Sequence, residues 1–250
     1  MKLLLAGFET AFSKAFVKEN KKKFEMIALD LKKEDFSQFM PMRAVFESMQ
    51  FDAVVYFAAS GEFDSNACLG EVNLFKNLQY ASIMFGIKKM ITCLDKTESL
   101  FGQLIPNLVE KDKVGTALQF YGLYGKGLNA KTNPLQRLVS NAKKNGEVII
   151  EKDREISAVC LSDAINLLTT VLQKDIGQGV YDVTPPKTTT LVEFAKAIKK
   201  VLGSTKITLE KKEEKDAPII GDSTKIFTAL PKFKFTAQNT ALAKVLMEMK

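Results

Sequence analysis

Short runs of consecutive apolar residues alternate along this chain with stretches whose apolar residues recur every three or four positions, and this alternation restricts the fold more than any other feature. Leu3-Leu4-Leu5-Ala6 leads through Gly7 into an amphipathic segment from Phe8 to Glu19, with Phe12, Ala15 and Phe16 on one face. Met26-Ile27-Ala28-Leu29 ends at Asp30, and Asp52-Ala53-Val54-Val55-Tyr56-Phe57 follows a helical segment from Met42 to Met49. A long helix reaches Phe85 and reverses at Gly86. Two more strand-like runs follow, Lys89-Met90-Ile91-Thr92-Cys93-Leu94 and Thr116-Ala117-Leu118-Gln119-Phe120-Tyr121. Strands that are apolar on both faces and separated by helices predict an α/β fold with a parallel, doubly wound sheet.

The second half is punctuated by helix caps. Asn133-Pro134 supplies an N-cap and first helical residue, and Gly146 supplies the left-handed stop, before the strand Glu147-Val148-Ile149-Ile150. Ser162-Asp163 caps a helix from Ala164 to Leu172, and Val180-Tyr181-Asp182-Val183 is a short strand ahead of Pro185-Pro186. Thr190-Leu191-Val192-Glu193 is a capping box, in which a threonine oxygen and a glutamate three residues on satisfy each other's backbone donors. Its helix carries Leu191, Phe194, Ala195, Ile198, Val201 and Leu202 on one face and stops at Gly203. Asp222 caps a last pair of helices reaching Leu246. The expected organisation is a core of residues 1–125 with a return segment at about 156–185, and a small C-terminal lobe built from 126–155 and 186–250.

Composition narrows the function. A net charge of +7 would favour acidic partners, but the densest lysine runs, Lys21-Lys22-Lys23 and Lys211-Lys212, are flanked by acids and lack aromatic interleaving. They read as solvated helix ends or turns, so no nucleic-acid partner is expected. Cys68, Cys93 and Cys160 are widely spaced inside apolar segments and read as small hydrophobes in a reducing compartment. The opening Met1-Lys2-Leu3-Leu4-Leu5-Ala6 is too short for a signal-peptide core, and no later apolar stretch could span a bilayer. A cytoplasmic protein without membrane attachment is expected. The chain has no histidine, which removes the usual general base, the histidine-activated nucleophiles and the commonest transition-metal ligand. No metal site is expected, and any chemistry must use Tyr, Lys, carboxylates, hydroxyls or a cofactor.

Several segments, in order, resemble the extended short-chain dehydrogenase/reductase family of NAD-dependent sugar-nucleotide epimerases, dehydratases and reductases. They are Met1 to Gly7 at the first strand and turn, and Asp52 to Ala59 at the strand that ends beside the cofactor. Gly86 to Ile91, Leu123-Tyr124-Gly125-Lys126-Gly127 and Leu161-Ser162-Asp163-Ala164-Ile165 follow. Gly179 to Val183, Thr190 to Ala195 and Asp222-Ser223-Thr224-Lys225 complete the set. The resemblance covers nearly the whole chain and implies a Rossmann-like sheet with a substrate-side lobe.

The resemblance also implies where the chemistry should sit. The family's glycine turn reads G-x-x-G-x-x-G, so that the backbone can approach a pyrophosphate and the helix can pack close to its strand. Here the span reads Gly7-Phe8-Glu9-Thr10-Ala11-Phe12-Ser13 and keeps only the first glycine. By resemblance the cofactor-binding positions are Gly7, Phe8, Glu9, Thr10, Ala11, Phe12, Asp30, Ala58 and Ala59. The expected cofactor is NAD, held weakly or not at all, and Asp30 would favour it over NADP because a 2′-phosphate would meet a like charge.

The family transfers its proton with Tyr-x-x-x-Lys on a helix. Four positions after Tyr56, Tyr80, Tyr121, Tyr124 and Tyr181 stand Ser60, Met84, Gly125, Leu128 and Pro185, so the motif is absent and no catalytic residue is assigned. The interval from Phe101 to Thr116, containing Pro106, reads as a short linker in which the catalytic helix is deleted or cut to a turn. Leu94 and Asp95 stand where the assisting Ser/Thr belongs, with Thr97 and Ser99 available after a small insertion. Ile156 takes the place of a diphosphate-binding arginine, with Arg154, Arg137 and Lys126 as other sources of charge.

Three functional expectations stay open. The first is a pseudoenzyme that keeps a cleft for a nucleotide or sugar nucleotide and has lost or altered its redox chemistry. The second is an active enzyme using NAD with Lys113 or Asp95 as acid/base. The third is a non-catalytic regulator or scaffold, with homodimer formation through the sheet's helices also open.

Overall fold

In the computed structural model the described residues are 1–7, 9–58, 65–95, 100–131 and 133–249. The order of elements is β1 (Lys2–Ala6), α1 (Ala11–Asn20), β2 (Glu25–Ala28), α2 (Phe39–Ser48), β3 (Ala53–Phe57), α3 (Ser65–Met84), β4 (Met90–Asp95), α4 (Leu100–Asp112) and β5 (Thr116–Phe120). It continues with β6 (Leu123–Tyr124), α5 (Pro134–Asn145), β7 (Glu147–Asp153), β8 (Glu155–Ile156), β9 (Val159–Cys160), α6 (Leu161–Gln173) and β10 (Gly179–Val183). The last elements are β11 (Thr189–Thr190), α7 (Leu191–Leu202), β12 (Lys206–Lys215), α8 (Thr224–Ala229) and α9 (Gln238–Glu248). The chain divides into two compact units, Met1–Gln119 with Leu168–Tyr181, and Phe120–Leu167 with Asp182–Lys250.

The first unit is built on the six-stranded sheet β10-β5-β4-β3-β1-β2, as the alternation of buried runs and helices predicts. β1 pairs in parallel with β2 on one side and β3 on the other, aligning Leu3 with Met26 and with Ala53. Leu3, Leu4, Leu5 and Ala6 are fully buried, which requires helices on both faces of the strand. Because β2 and β3 leave β1 in opposite directions, the crevice where open α/β sheets bind ligands opens at the carboxyl end of β1. Lys89, at the start of β4, donates through Nζ to the carbonyls of Leu172 at 2.8 Å, Lys174 at 3.2 Å and Val171 at 3.4 Å. A cation on the last carbonyls of α6 satisfies acceptors that the helix cannot satisfy itself.

The expected deletion before β5 is corrected. Residues Leu100–Asp112 form a 13-residue helix, α4, with Pro106 inside it. Proline removes one backbone donor and disfavours a helix interior, and for that reason the sequence reads as a linker. Burial overrides it: Ile105 and Val109, one turn apart, are fully buried in the core of this unit beside Leu78 of α3.

The second unit packs α5, α7 and α9 around Leu138, Val139, Phe194, Ile198, Leu242 and Leu246. The caps at Asn133, Gly146 and Thr190 follow the sequence, whereas Ser162 and Asp163 fall inside the first turn of α6, which starts at Leu161, and Ser223 rather than Asp222 is the N-cap of α8. Asn133 accepts from Gln136 N at 2.9 Å, Gly146 is left-handed, and the Thr190–Glu193 box is complete. β12 is an addition that the sequence reading lacks; it pairs in parallel with β7, setting Ile207 beside Val148 and Leu209 beside Ile150.

Candidate functional site

Gly7 closes β1 in a left-handed conformation, φ +70°, and a Cβ there would lie 1.9 Å from the Phe57 carbonyl oxygen at the end of β3. Only glycine fits. Phe8 lies outside the described residues. Thr10 is the N-cap of α1, its Oγ1 accepting from Ser13 N at 3.1 Å. The same hydroxyl donates to Ser13 Oγ at 3.0 Å, and Ser13 Oγ donates to the Thr10 carbonyl at 2.8 Å. Thr10 and Ser13 stand three and six residues beyond Gly7, where the resemblance places the second and third glycines. An anion arriving at this helix end meets an amide that already has an oxygen on it. Ala11 is half-buried, and Phe12 points into the core, its ring edge-on to Phe57 at 5.3 Å.

Glu9 reaches across to the loop beyond β2, where its Oε1 lies 2.9 Å from Lys32 Nζ. The Lys32 ammonium holds the Glu9 carboxyl below its usual range, and Glu9 in turn raises Lys32, so both are charged at neutral pH. Asp30, two residues past β2, accepts from Lys32 N at 3.2 Å and sits 3.4 Å from Lys33 Nζ. Ala58 is buried at the end of β3, its amide donating to the Cys93 carbonyl at 3.0 Å. Ala59, Thr97 and Ser99 lie outside the described residues.

Beside this cluster lies a cavity of about 550 Å³, lined by residues 31–37 on one side and by Gly70, Glu71 and Leu74 of α3 on the other. The loop is tied down by burial of Phe36 and by Asn77 Nδ2, which donates to the carbonyls of Phe36 at 3.0 Å and Ser37 at 2.9 Å. Below it, the fully buried Tyr56 hydroxyl donates to the Glu71 carboxylate, and burial followed by Glu71's charge pushes that phenol well up. Sequence reading missed Lys32, Lys33 and Glu71 as parts of this region. The run from Leu31 to Ser37 has no periodicity, and the one signal was the pair Lys32-Lys33 one residue beyond Asp30.

At the carboxyl end of β4, Asp95 is half-buried, and burial pushes its carboxyl up to about 7. It shares the crevice end of the sheet with Gly7 and Ala58. Lys113 does not. It precedes β5 in a parallel sheet and stands at the opposite end, about 16 Å away by the rise of a five-residue strand, so the expectation of Lys113 as a crevice acid/base is overturned.

In the second unit, Gly125 N donates to Gln136 Oε1 at 2.9 Å, and Tyr124 is buried edge-on to Phe194 at 5.1 Å. Asp163 is buried and takes Thr236 N at 2.9 Å and Thr236 Oγ1 at 2.7 Å, anchoring the segment before α9. Ile156 is core, and Arg137 and Lys126 are exposed. Among the described residues no three His, Cys, Asp or Glu side chains gather to hold a metal ion, and no helix is long and apolar enough to cross a membrane.

The fold is Rossmann-like, a parallel sheet with helices on both faces. No sequence-family profile matches the chain, and no curated protein matches it by sequence. Solved structures match it in fold. A GDP-L-fucose synthetase from Naegleria fowleri bound to NADP superimposes with a TM-score of 0.78 at 16% identity, over 98% of this chain and 91% of that one. The Bordetella bronchiseptica enzyme WbmH in complex with NAD+ gives 0.78 at 11% identity, over 98% and 97%. A UDP-glucose 4-epimerase from Thermotoga maritima with UDP-glucose gives 0.76 at 14% identity, over 99% and 98%. At these identities the likeness is one of fold.

Proposed function

We propose that this chain is a divergent relative of the NAD-dependent sugar-nucleotide epimerases and reductases, one that binds a nucleotide or sugar nucleotide in the crevice at the carboxyl ends of β1, β2 and β3 and has lost or altered the redox chemistry. The observation that carries this reading is α4. The helix stands between β4 and β5, yet its sequence from Leu100 to Asp112 contains no tyrosine. A phenolate for proton transfer is therefore missing from a helix that is itself present.

The residues at hand fit part of a dinucleotide. Asp30 and the neighbouring cavity suit an adenosine end, and Gly7 keeps the tight turn. The pyrophosphate end fits poorly, because Thr10 caps the helix amide and Glu9 brings a negative charge. Occupied structures of the same fold, holding NADP, NAD+ or UDP-glucose, support a nucleotide ligand. Three free, buried cysteines support a cytoplasmic home.

A thermal-shift series with NAD, NADP, UDP-glucose and GDP-mannose tests this reading, since a ligand that binds the folded state raises its stability by mass action. A shift with at least one nucleotide, without absorbance change at the nicotinamide band when a sugar nucleotide is added, is expected. No shift with any of them at millimolar concentration overturns the reading.

An active enzyme is a second reading, favoured by Asp95 alone: a carboxyl near 7 at the crevice end of β4 suits proton transfer at neutral pH. The chain is also read as a homodimer. Leu69, Tyr80, Ile83 and Met84 of α3 are 57–59% exposed and fall on one helical face, where Lys76 is neutralised by Asp112 at 2.5 Å.

A further inference from the structure

The turn after β1 and the loop after β2 belong to adjacent strands, and the Glu9–Lys32 pair joins them at the carboxyl end of the sheet. Lys32 is thus held by a carboxylate of the β1 turn, at the edge of the crevice proposed for the nucleotide. Lys33 is engaged in the same way by Asp30, 3.4 Å away. The helix amide of Ser13 is held by Thr10. Each of these three donors has an oxygen of the chain itself on it.

We infer that Glu9 is an internal competitor for the anionic ligand of this crevice, an autoinhibitory carboxylate that must leave Lys32 before a phosphate-bearing ligand can engage it. The inference rests on the proposed nucleotide reading and adds to it a built-in control of affinity. Other groups tune the contact. Lys14 also draws Glu9 toward its charged form, and Asp30 adds to the attraction on Lys32. Both partners are mostly exposed, with side chains 70% and 78% accessible, so the latch is weak and opens readily. Release therefore changes affinity by a modest factor, without creating the site.

The test is isothermal titration of the full-length wild type, Glu9→Gln and the double variant Glu9→Gln/Lys32→Met with NAD, NADP, UDP-glucose and inorganic pyrophosphate. Glu9→Gln is expected to bind at least one of these about fivefold more tightly than wild type, the upper range for an exposed ion pair. The gain should vanish in the double variant and shrink as salt is raised. Equal affinity in wild type and Glu9→Gln overturns the inference while leaving the nucleotide reading intact. Absence of binding in both overturns the two together. Unchanged melting of unliganded Glu9→Gln excludes a folding artefact, and a lowered melt with no gain in affinity counts against the latch.

Discussion

Thr10 and Ser13 are joined by three side-chain hydrogen bonds: the Ser13 amide donates to Thr10 Oγ1 at 3.1 Å, the Thr10 hydroxyl donates to Ser13 Oγ at 3.0 Å, and Ser13 Oγ donates to the Thr10 carbonyl at 2.8 Å. Two positions that a pyrophosphate-binding turn leaves bare are here occupied by residues that satisfy each other. Thr10→Ala should therefore cost about 1 kcal/mol through loss of the N-cap, and Thr10→Gly only a few tenths. Urea unfolding of the two variants measures the difference; equal costs would mean that the cap contributes nothing.

Gly7→Ala is expected to be far more damaging. The left-handed backbone alone costs an alanine about 1 kcal/mol or more, and its Cβ would collide with the Phe57 carbonyl at 1.9 Å. A loss of at least about 2 kcal/mol, or failure to accumulate as folded protein, should appear in circular-dichroism melts. A neutral substitution would show that the β1 turn relaxes easily.

Asp95 links stability to pH. Its folded value of about 7 lies above the unfolded carboxylate value near 4, so between those values the folded state holds more protons than the unfolded state. The sign follows. This group's contribution to stability is full below about pH 4 and falls as pH rises toward 7, with a slope of up to about 1.4 kcal/mol per unit. Asp95→Asn removes the ionisation, and its stability relative to wild type should improve from pH 5 to pH 7.5 in denaturant titrations. Parallel profiles for the two proteins would contradict the burial assigned to this carboxyl.

The exposed stripe on α3 predicts self-association. Ile83→Asp should shift the chain from dimer to monomer in light scattering after size exclusion, with little change in the melt of the monomer. A wild-type chain that is monomeric at every concentration tested would end the homodimer reading.

Asp163 predicts a structural loss with no ligand dependence. Asp163→Ala leaves the Thr236 amide and hydroxyl without their buried acceptor and should cost about 2 kcal/mol. Chemical denaturation gives the value, and a change within about 0.5 kcal/mol would show that water replaces the carboxylate.

How much of this was legible in the sequence depended on the kind of signal. β1, β3 and β4 are continuous apolar runs buried on both faces, and α5 and α7 carry explicit caps, so both kinds of element were readable. α4 was not, because Pro106 is a local break that only the burial of Ile105 and Val109 overrides. β12 was hidden by its lysines and glutamates, which leave only Ile207 and Leu209 to pack against the core beside Val148 and Ile150 of β7. At the candidate site, the departure from the glycine pattern was plain, but the reach of Glu9 to Lys32 was not, since nothing in the order of residues says which loops meet above two neighbouring strands.

The tight seat of Gly7 against β3 bears on how such a chain could drift. Because packing of the sheet alone forbids any side chain there, natural selection for a folded protein would keep this residue even after every trace of nucleotide affinity had gone. Its presence therefore reports on packing, and whether a ligand binds is better asked of Glu9, Thr10 and Ser13.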